Sequence, residues 1–144
     1  MRPARWLALC ALLLVGPTGC VTWFLDPMGH RAAFDDIQRQ YTQALRWGEI
    51  ERASAFVDPE LREAFLQQQP IFDAMRITDF SIGEVDYQSD NARVTVTYDG
   101  YSLESFVERK IREDQTWHRE GGSNRWLVRS DVTAFARGFG EARR

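Results

Sequence analysis

Two hydrophobic periodicities divide this chain into a helical first half and a stranded second half. Between residues 29 and 47, Ala33, Ile37 and Tyr41 recur four positions apart, which is the spacing of an amphipathic helix. Between residues 92 and 99, apolar and polar residues alternate, which is typical of a strand with one buried face. The order of the two patterns predicts helices first and a sheet afterwards, an α+β arrangement.

The helical half is expected to contain three helices. Gly48 favours the end of the first, because glycine commonly follows a helix C-terminus. Asp58 and Pro59 favour the start of the third, as N-cap and first helical residue, and Pro70 interrupts it. The expected bounds are 29–47, 49–57 and 59–69.

The stranded half is expected to contain four antiparallel strands joined by short turns. The expected bounds are 76–87, 92–99, 103–119 and 125–132. Gly83 indicates an irregularity in the first strand, and Val94, Val96 and Tyr98 share the apolar face of the second. Because the strands are long and one face is apolar, the sheet should curl. The sequence therefore predicts three N-terminal helices packed in the concave face of a curved four-stranded antiparallel sheet. Residues 133–144 either cap one end of this arrangement or fray.

The first twenty residues follow a different pattern. Two arginines precede an apolar run from Trp6 to Val15, and four further residues, mostly small, lead to Cys20. This resembles the signal peptide of bacterial lipoproteins, in which Cys20 would be acylated and become the new N-terminus. The apolar run has ten residues, whereas a helix needs about 20 to span a bilayer. Pro17 departs from the usual lipoprotein pattern, so export with ordinary cleavage and no lipid remains an alternative.

The resemblance implies a signal peptide at 1–19, a short lipidated tether at 20–28 and one domain at 29–144. By the sorting rule of enteric bacteria, Val21 implies the bacterial cell envelope at the outer membrane, facing the periplasm. The apolar tether residues either enter the membrane interface, pack on the domain or stay disordered. Cys10 would leave with the signal peptide, so no disulfide is expected.

Composition narrows the classes of partner. Without residues 1–19 the chain keeps 16 basic and 21 acidic residues, a net charge of −5. Such a domain is a poor nucleic-acid binder, and attachment to a membrane would depend on the lipid rather than on charge. Four tryptophans remain in the mature part, which supports a packed interior.

The domain resembles the nuclear-transport-factor-2-like superfamily, the cone-shaped α+β fold that ketosteroid isomerase also uses. The resemblance depends on the element order and on two local patterns. One is the helix–Gly–helix corner from Tyr41 to Ala53, and the other is Gln115-Thr-Trp117 followed by Arg125-Trp126. The family usually has a strand between its second and third helices. Here that strand is either absent or reduced to Val57-Asp58.

Four aromatic residues are candidates for lining a pocket inside the cone: Tyr41, Tyr98, Trp117 and Trp126. The competing interpretation makes them core residues. The isomerase-like relatives use an Asp base with a Tyr and a second acid. Asp79 or Glu84 could point inward from the first strand, but neither aligns with a known catalytic set, and no catalytic residue is assigned.

Neither a metal nor a cofactor is predicted. His30 and His118 lie far apart in the sequence and lack the spacing of a metal-binding motif, and the chain has no glycine-rich phosphate loop. The charged stretch 104–120 mixes signs and predicts a polar outer sheet face with cross-strand ion pairs. Such a face favours a monomer or a weak homodimer.

These observations favour an envelope lipoprotein with a non-catalytic domain that binds a protein partner or a small apolar ligand. One alternative is a subunit of an envelope assembly. Another is an enzyme of isomerase or dehydratase type, which would require a buried carboxylate near Tyr41 or Tyr98.

Overall fold

A computed structural model describes residues 29–140 and shows helices packed against one antiparallel sheet. The helices are α1 (His30–Arg46), α2 (Ile50–Ser54), α3 (Arg62–Leu66), α4 (Gln69–Asp73) and α5 (Thr133–Gly140). The strands are β1 (Met75–Gln88), β2 (Asn91–Ser102), β3 (Glu108–Arg119) and β4 (Trp126–Ser130), in the order β1-β2-β3-β4. The predicted α+β class is confirmed. The predictions for Cys20, the signal peptide and the tether lie outside the described residues.

The third helix is the element that the sequence placed least well. It is split into α3 and α4, and Pro70 lies in the first turn of α4, where a missing backbone N–H costs nothing. Asp58 does not cap a helix; its Oδ1 accepts from the Glu60 backbone N–H at 3.1 Å in a turn before α3. None of the described helices is both long and apolar enough to cross a bilayer.

Residues 56–58 form a remnant of a fifth strand beside β4. Val57 makes a parallel bridge to Val128, the Asp58 N–H donates to the Val128 carbonyl at 3.0 Å, and the Val128 N–H donates to the Phe56 carbonyl at 2.8 Å. The second helix therefore ends at Ser54 and not at residue 57, because the chain leaves it to pair with the sheet. Of the two expectations for this segment, an absent strand or one reduced to Val57-Asp58, the structure agrees with the reduced strand.

Two connections differ from expectation at the ends of the sheet. The third strand begins at Glu108, since residues 103–107 form a loop in which Phe106 has a φ of 53°. The tail folds into α5 and places Phe135 in the core, with ring centroids 4.9 Å from Phe72 and 5.1 Å from Tyr98. Through residue 140, the tail therefore caps the open side of the sheet.

Strand β1 pairs with β2 through two register shifts, one between Ile77 and Asp79 and one between Ile82 and Val85. The second contains Gly83, as predicted. At the first, the backbone comes so close to Gly100 that a Cβ there would lie 2.6 Å from the carbonyl oxygen of Arg76. Gly100 therefore permits the close approach of two strands at a bulge.

Replacing Gly100 with alanine is expected to lower the free energy of unfolding by about 1–3 kcal/mol, since the added methyl must displace backbone. Urea unfolding followed by circular dichroism measures the loss. Gly83→Ala is the matched control, because its Cβ would meet the nearest atom, the Thr95 carbonyl oxygen, at 3.3 Å. Equal losses in the two variants would contradict the close approach at Gly100.

Candidate functional site

A buried carboxylate lies at the centre of the domain. On β3, alternate residues face inward, so Ile111, Glu113, Gln115 and Trp117 line the interior. The side chain of Glu113 is fully enclosed, at 0% exposure. The prediction that the charged stretch 104–120 lies on the outer face is wrong for Glu113, because Glu113 shares the inward alternation of Trp117.

Four donors saturate the two oxygens of Glu113. The Tyr41 hydroxyl donates to Oε1 at 3.1 Å, and the Ser130 hydroxyl donates to the same oxygen. The Tyr98 hydroxyl donates to Oε2 at 2.8 Å, and Gln115 Nε2 donates to Oε2 at 2.7 Å. The carboxylate thus joins α1, β2, β3 and the end of β4 in one buried network.

The amide of Gln115 has a fixed orientation in this network. Its Oε1 accepts from Trp117 Nε1 at 3.0 Å and from Gln38 Nε2 at 3.3 Å, so its NH₂ group is left to face Glu113. Gln38 Nε2 also donates to the Thr42 hydroxyl at 3.0 Å. Trp117 and Gln38 thus orient the amide that donates to Glu113.

Burial governs the titration of this cluster. It raises the pKa of Glu113 above its ordinary value, although the hydrogen bonds from Ser130, Gln115, Tyr98 and Tyr41 act in the opposite direction. Burial and the nearby Glu113 charge raise the pKa of both tyrosines well above 10. None of the ion pairs in the described part of the chain includes Glu113.

Ionisation of the buried Glu113 carboxyl should lower the free energy of unfolding as the pH rises. Because its folded pKa lies above the unfolded value near 4.5, the folded state holds the proton more tightly. The stabilisation is complete below the unfolded pKa and is lost as the pH rises through the folded pKa. We expect stability-versus-pH curves for the wild type and Glu113→Gln to diverge in this window, the wild type falling relative to the variant. Parallel curves would show that the pKa of Glu113 is not raised.

The structure brings all four predicted aromatic residues into the interior. Tyr41 and Tyr98 meet at Glu113, and the Trp117 ring packs edge-on against Tyr41 with centroids 5.5 Å apart. Phe34 bridges Trp117 and Trp126, at 5.9 and 5.0 Å. All four side chains are at most 1% exposed, and their role in lining a pocket stays a prediction.

Two candidate carboxylates on β1 are not part of this cluster. Asp79 and Glu84 are exposed, so the expectation that either points inward is wrong. The register shifts in β1 make its alternation unreliable as a guide to which side a residue faces. The carboxylate that does face inward, Glu113, was missed. The available signal was its position four residues before Trp117 on one strand, which puts the two on the same face.

Both histidines are partly exposed and contact polar or charged neighbours. His30 contacts Asn124 through Nδ1 and the Arg119 guanidinium through Nε2, the latter at 3.2 Å. His118 Nε2 lies 3.8 Å from the Asp58 carboxylate, which also binds Arg129 at 2.9 Å. The Glu60 backbone N–H and Arg129 lower the pKa of Asp58, against the effect of its burial. Within residues 29–140, no three His, Cys, Asp or Glu side chains cluster as metal ligands would.

Polar and charged side chains in the middle of the outer sheet face contact one another. Lys110 on β3 contacts Asp99 on β2 at 2.6 Å. Asp114 accepts from the Thr95 hydroxyl at 2.9 Å and from Arg112 at 3.1 Å. The Lys110–Asp99 contact is a cross-strand ion pair of the kind that the mixed charges predicted, whereas Arg112 and Asp114 lie on the same strand.

Known proteins resemble this chain in structure only. No protein-family model matches it, and no curated protein does. The solution structure of a protein with a SEC-C motif from Rhodopseudomonas palustris is similar at a TM-score of 0.56 and 11% identity, over 66% of this chain and 74% of that one. The crystal structure of a candidate isomerase from the same organism gives 0.50 and 15%, over 72% and 93%. A protein of unknown function from Shewanella oneidensis, described as NTF-2 like, gives 0.49 and 12%, over 68% and 93%.

At such identities, the first two similarities show a shared fold and do not extend to activity. The observed order of helices and strands confirms the predicted α+β fold of N-terminal helices on a four-stranded antiparallel sheet.

Proposed function

We propose that this chain is a lipid-anchored protein of the bacterial cell envelope whose domain is a non-catalytic interaction module. In this proposal Cys20 carries the lipid, and the domain faces the periplasm from the outer membrane. Its partner is another envelope protein, which contacts the surface of the domain.

One observation supports the non-catalytic part of the proposal: within residues 29–140, the carboxylate that meets Tyr41 and Tyr98 is enclosed and has no exposed surface. Glu113 is fully enclosed, and its two oxygens already accept four hydrogen bonds. A general base must reach a substrate proton, directly or through one water. Both carboxylate oxygens of Glu113 accept hydrogen bonds that join α1, β2, β3 and β4, which favours a structural role.

The anchor part of the proposal depends on the N-terminal sequence pattern. The start of α1 is held by contacts of His30 with Asn124 and Arg119, so the domain is ordered from its first helical residue. Gly29 lies nine positions after Cys20, and a chain of that length reaches at most about 30 Å when extended. A lipid on Cys20 would therefore keep the domain close to the membrane.

Mass spectrometry of the native N-terminal peptide tests the anchor. We expect a peptide that begins at Cys20 and carries acyl chains, recovered with the membrane fraction. The Cys20→Ser variant should lose both the lipid and the membrane association. Native protein in the cytosol with its first nineteen residues attached would contradict the proposal.

Photo-crosslinking in cells tests the interaction module. A crosslinking residue at exposed Arg112 on the outer sheet face should capture a specific envelope protein, whereas one at exposed Glu51 on α2 serves as a control on the helical side. A folded Glu113→Gln variant should give the same adduct, because the proposal assigns Glu113 no chemistry. A stable complex recovered in fixed stoichiometry would identify the chain as a subunit of an envelope assembly.

An acid–base enzyme is the second candidate, and one specific observation favours it. Glu113 has the raised pKa and the two tyrosine hydroxyls that proton-transfer sites often combine. The candidate isomerase from Rhodopseudomonas palustris shares this fold, which is compatible with the enzyme hypothesis. This candidate requires an open state in which water and substrate reach Glu113, and hydrogen exchange of the buried Trp117 indole N–H distinguishes it from the non-catalytic module.

A further inference from the structure

A polar depression of about 250 Å³ lies on the outer face of the sheet, beside the β1–β2 hairpin. Alternation along three neighbouring strands puts its polar side chains on one face. They are Asp86 and Gln88 of β1, Asn91 and Arg93 of β2, and Thr116 of β3. The volume falls below the range of about 300–1,000 Å³ typical of sites for drug-sized ligands, so the depression suits a small polar group.

The depression presents two opposite charges that do not pair with each other. Asp86 and Arg93 lie directly opposite on β1 and β2. Within residues 29–140, neither is part of an ion pair, whereas Lys110 and Asp99 in the same sheet are joined at 2.6 Å. A guanidinium and a carboxylate thus stand side by side and open to solvent, which is complementary to a zwitterion.

The depression also lies at the end of the domain where the chain enters. The hairpin turn contains Asp90, which binds Arg119 through its carboxylate and through a 2.8 Å bond from the Arg119 N–H to its carbonyl. Arg119 in turn contacts His30, the first residue of α1. The first helical residue is therefore tied to the turn whose flanking residues, Gln88 and Asn91, line the depression.

We propose that the depression binds the zwitterionic headgroup of a membrane phospholipid that carries a phosphate and an ammonium group. This rests on the proposed lipid anchor, which would hold this end of the domain within about 30 Å of the bilayer. The Arg93 guanidinium takes the phosphate through its planar pair of N–H donors, and the Asp86 carboxylate takes the ammonium. Headgroup binding orients the anchored domain, with the hairpin toward the membrane and residues 103–107 away from it.

The charge of the domain supports a zwitterionic rather than an anionic lipid. The mature chain has a net charge of −5, which disfavours adsorption to an anionic surface. The depression itself balances one acid against one base. A headgroup that pairs with both charges is held by two short-range contacts rather than by the net charge of the domain. Its binding should therefore be less sensitive to salt than adsorption to anionic lipid.

The experiment uses the processed, lipidated protein in nanodiscs that contain a gadolinium-labelled lipid. One set contains phosphatidylethanolamine and the other contains phosphatidylglycerol alone. We expect paramagnetic broadening of the amides of residues 86–93 in the first set and its loss in the second. Arg93→Gln and Asp86→Asn should each abolish the broadening. Arg76→Gln removes the same charge at the other end of the sheet and should leave it unchanged.

Two further arms separate the sources of the ligand and the two proposals. Soluble glycerophosphoethanolamine should shift the amide resonances of Arg93 and Asp86 in the same directions as the nanodisc does, because it carries both charged groups. Equal broadening in both lipid sets, or broadening that survives both substitutions, would overturn headgroup binding. Headgroup binding would also be overturned if the outer sheet face proved to be the interface between two copies of the chain. Absence of a lipid on Cys20 would overturn the anchor and leave the soluble headgroup result as a separate test of the depression.

Discussion

Replacing Glu113 with alanine is expected to lower the free energy of unfolding by about 3–5 kcal/mol, a large part of what holds a domain of this size together. The substitution leaves the hydroxyls of Tyr41, Tyr98 and Ser130 and the amide of Gln115 without their acceptor in a closed interior. An orphaned buried donor costs about 1–3 kcal/mol, and partial re-pairing keeps the sum below four times that value. The lost side-chain volume adds a cavity. Urea unfolding at pH 7, monitored by tryptophan fluorescence, measures the loss.

Glu108→Ala is the control for this prediction, because Glu108 lies on the same strand and is exposed. It should change stability by no more than about 0.5 kcal/mol. If the two alanine variants were equally stable, Glu113 would not be the acceptor that joins α1 to the sheet.

Replacing Trp117 with alanine is expected to cost about 3–5 kcal/mol. Its ring is fully buried, packs edge-on against Phe34 and Tyr41, and donates the indole N–H that orients Gln115. Loss of the ring therefore opens a cavity and also releases the amide that faces Glu113. The midpoint of thermal unfolding, measured by circular dichroism, should fall in step with the free energy.

Trp47→Ala is the matched control, since the Trp47 side chain is 71% exposed beyond the end of α1. The Arg46 guanidinium lies 5.3 Å from the centroid of the Trp47 ring, and such a contact is worth about 0.5–1 kcal/mol at an exposed site. A loss of stability at Trp47 as large as that at Trp117 would mean that burial of the ring does not determine the cost of removing it.

The sequence was sufficient for the elements whose periodicity is long and regular. The stripe of α1 and the alternation of β2 placed Tyr41 and Tyr98 in the interior, where both are found. Shorter elements were less certain. Residues 56–58 have too few positions to show a period, and their strand character comes from pairing with Val128 in a distant part of the chain. The split of the third helix likewise depends on tertiary packing.

The candidate site was only half predictable, for a physical reason. Its aromatic members are hydrophobic and follow the apolar pattern, whereas Glu113 and Gln115 are polar residues at inward positions of a charged strand. A sequence pattern that equates charge with exposure places them outside. The burial of Glu113 is possible only because donors from Tyr41, Tyr98 and Ser130 converge on it, and these partners are 15 to 72 residues away in the chain.

Native-state hydrogen exchange of the Trp117 indole N–H tests the closed interior most directly. This proton is bonded to Gln115, one step from Glu113, and the ring is fully buried. If the interior is a sealed structural core, the proton exchanges only when the whole domain unfolds, so its exchange free energy equals the free energy of global unfolding. Exchange at a free energy several kcal/mol lower, while the backbone amides of β2 and β3 stay protected, would show an interior that opens to water and would contradict this account.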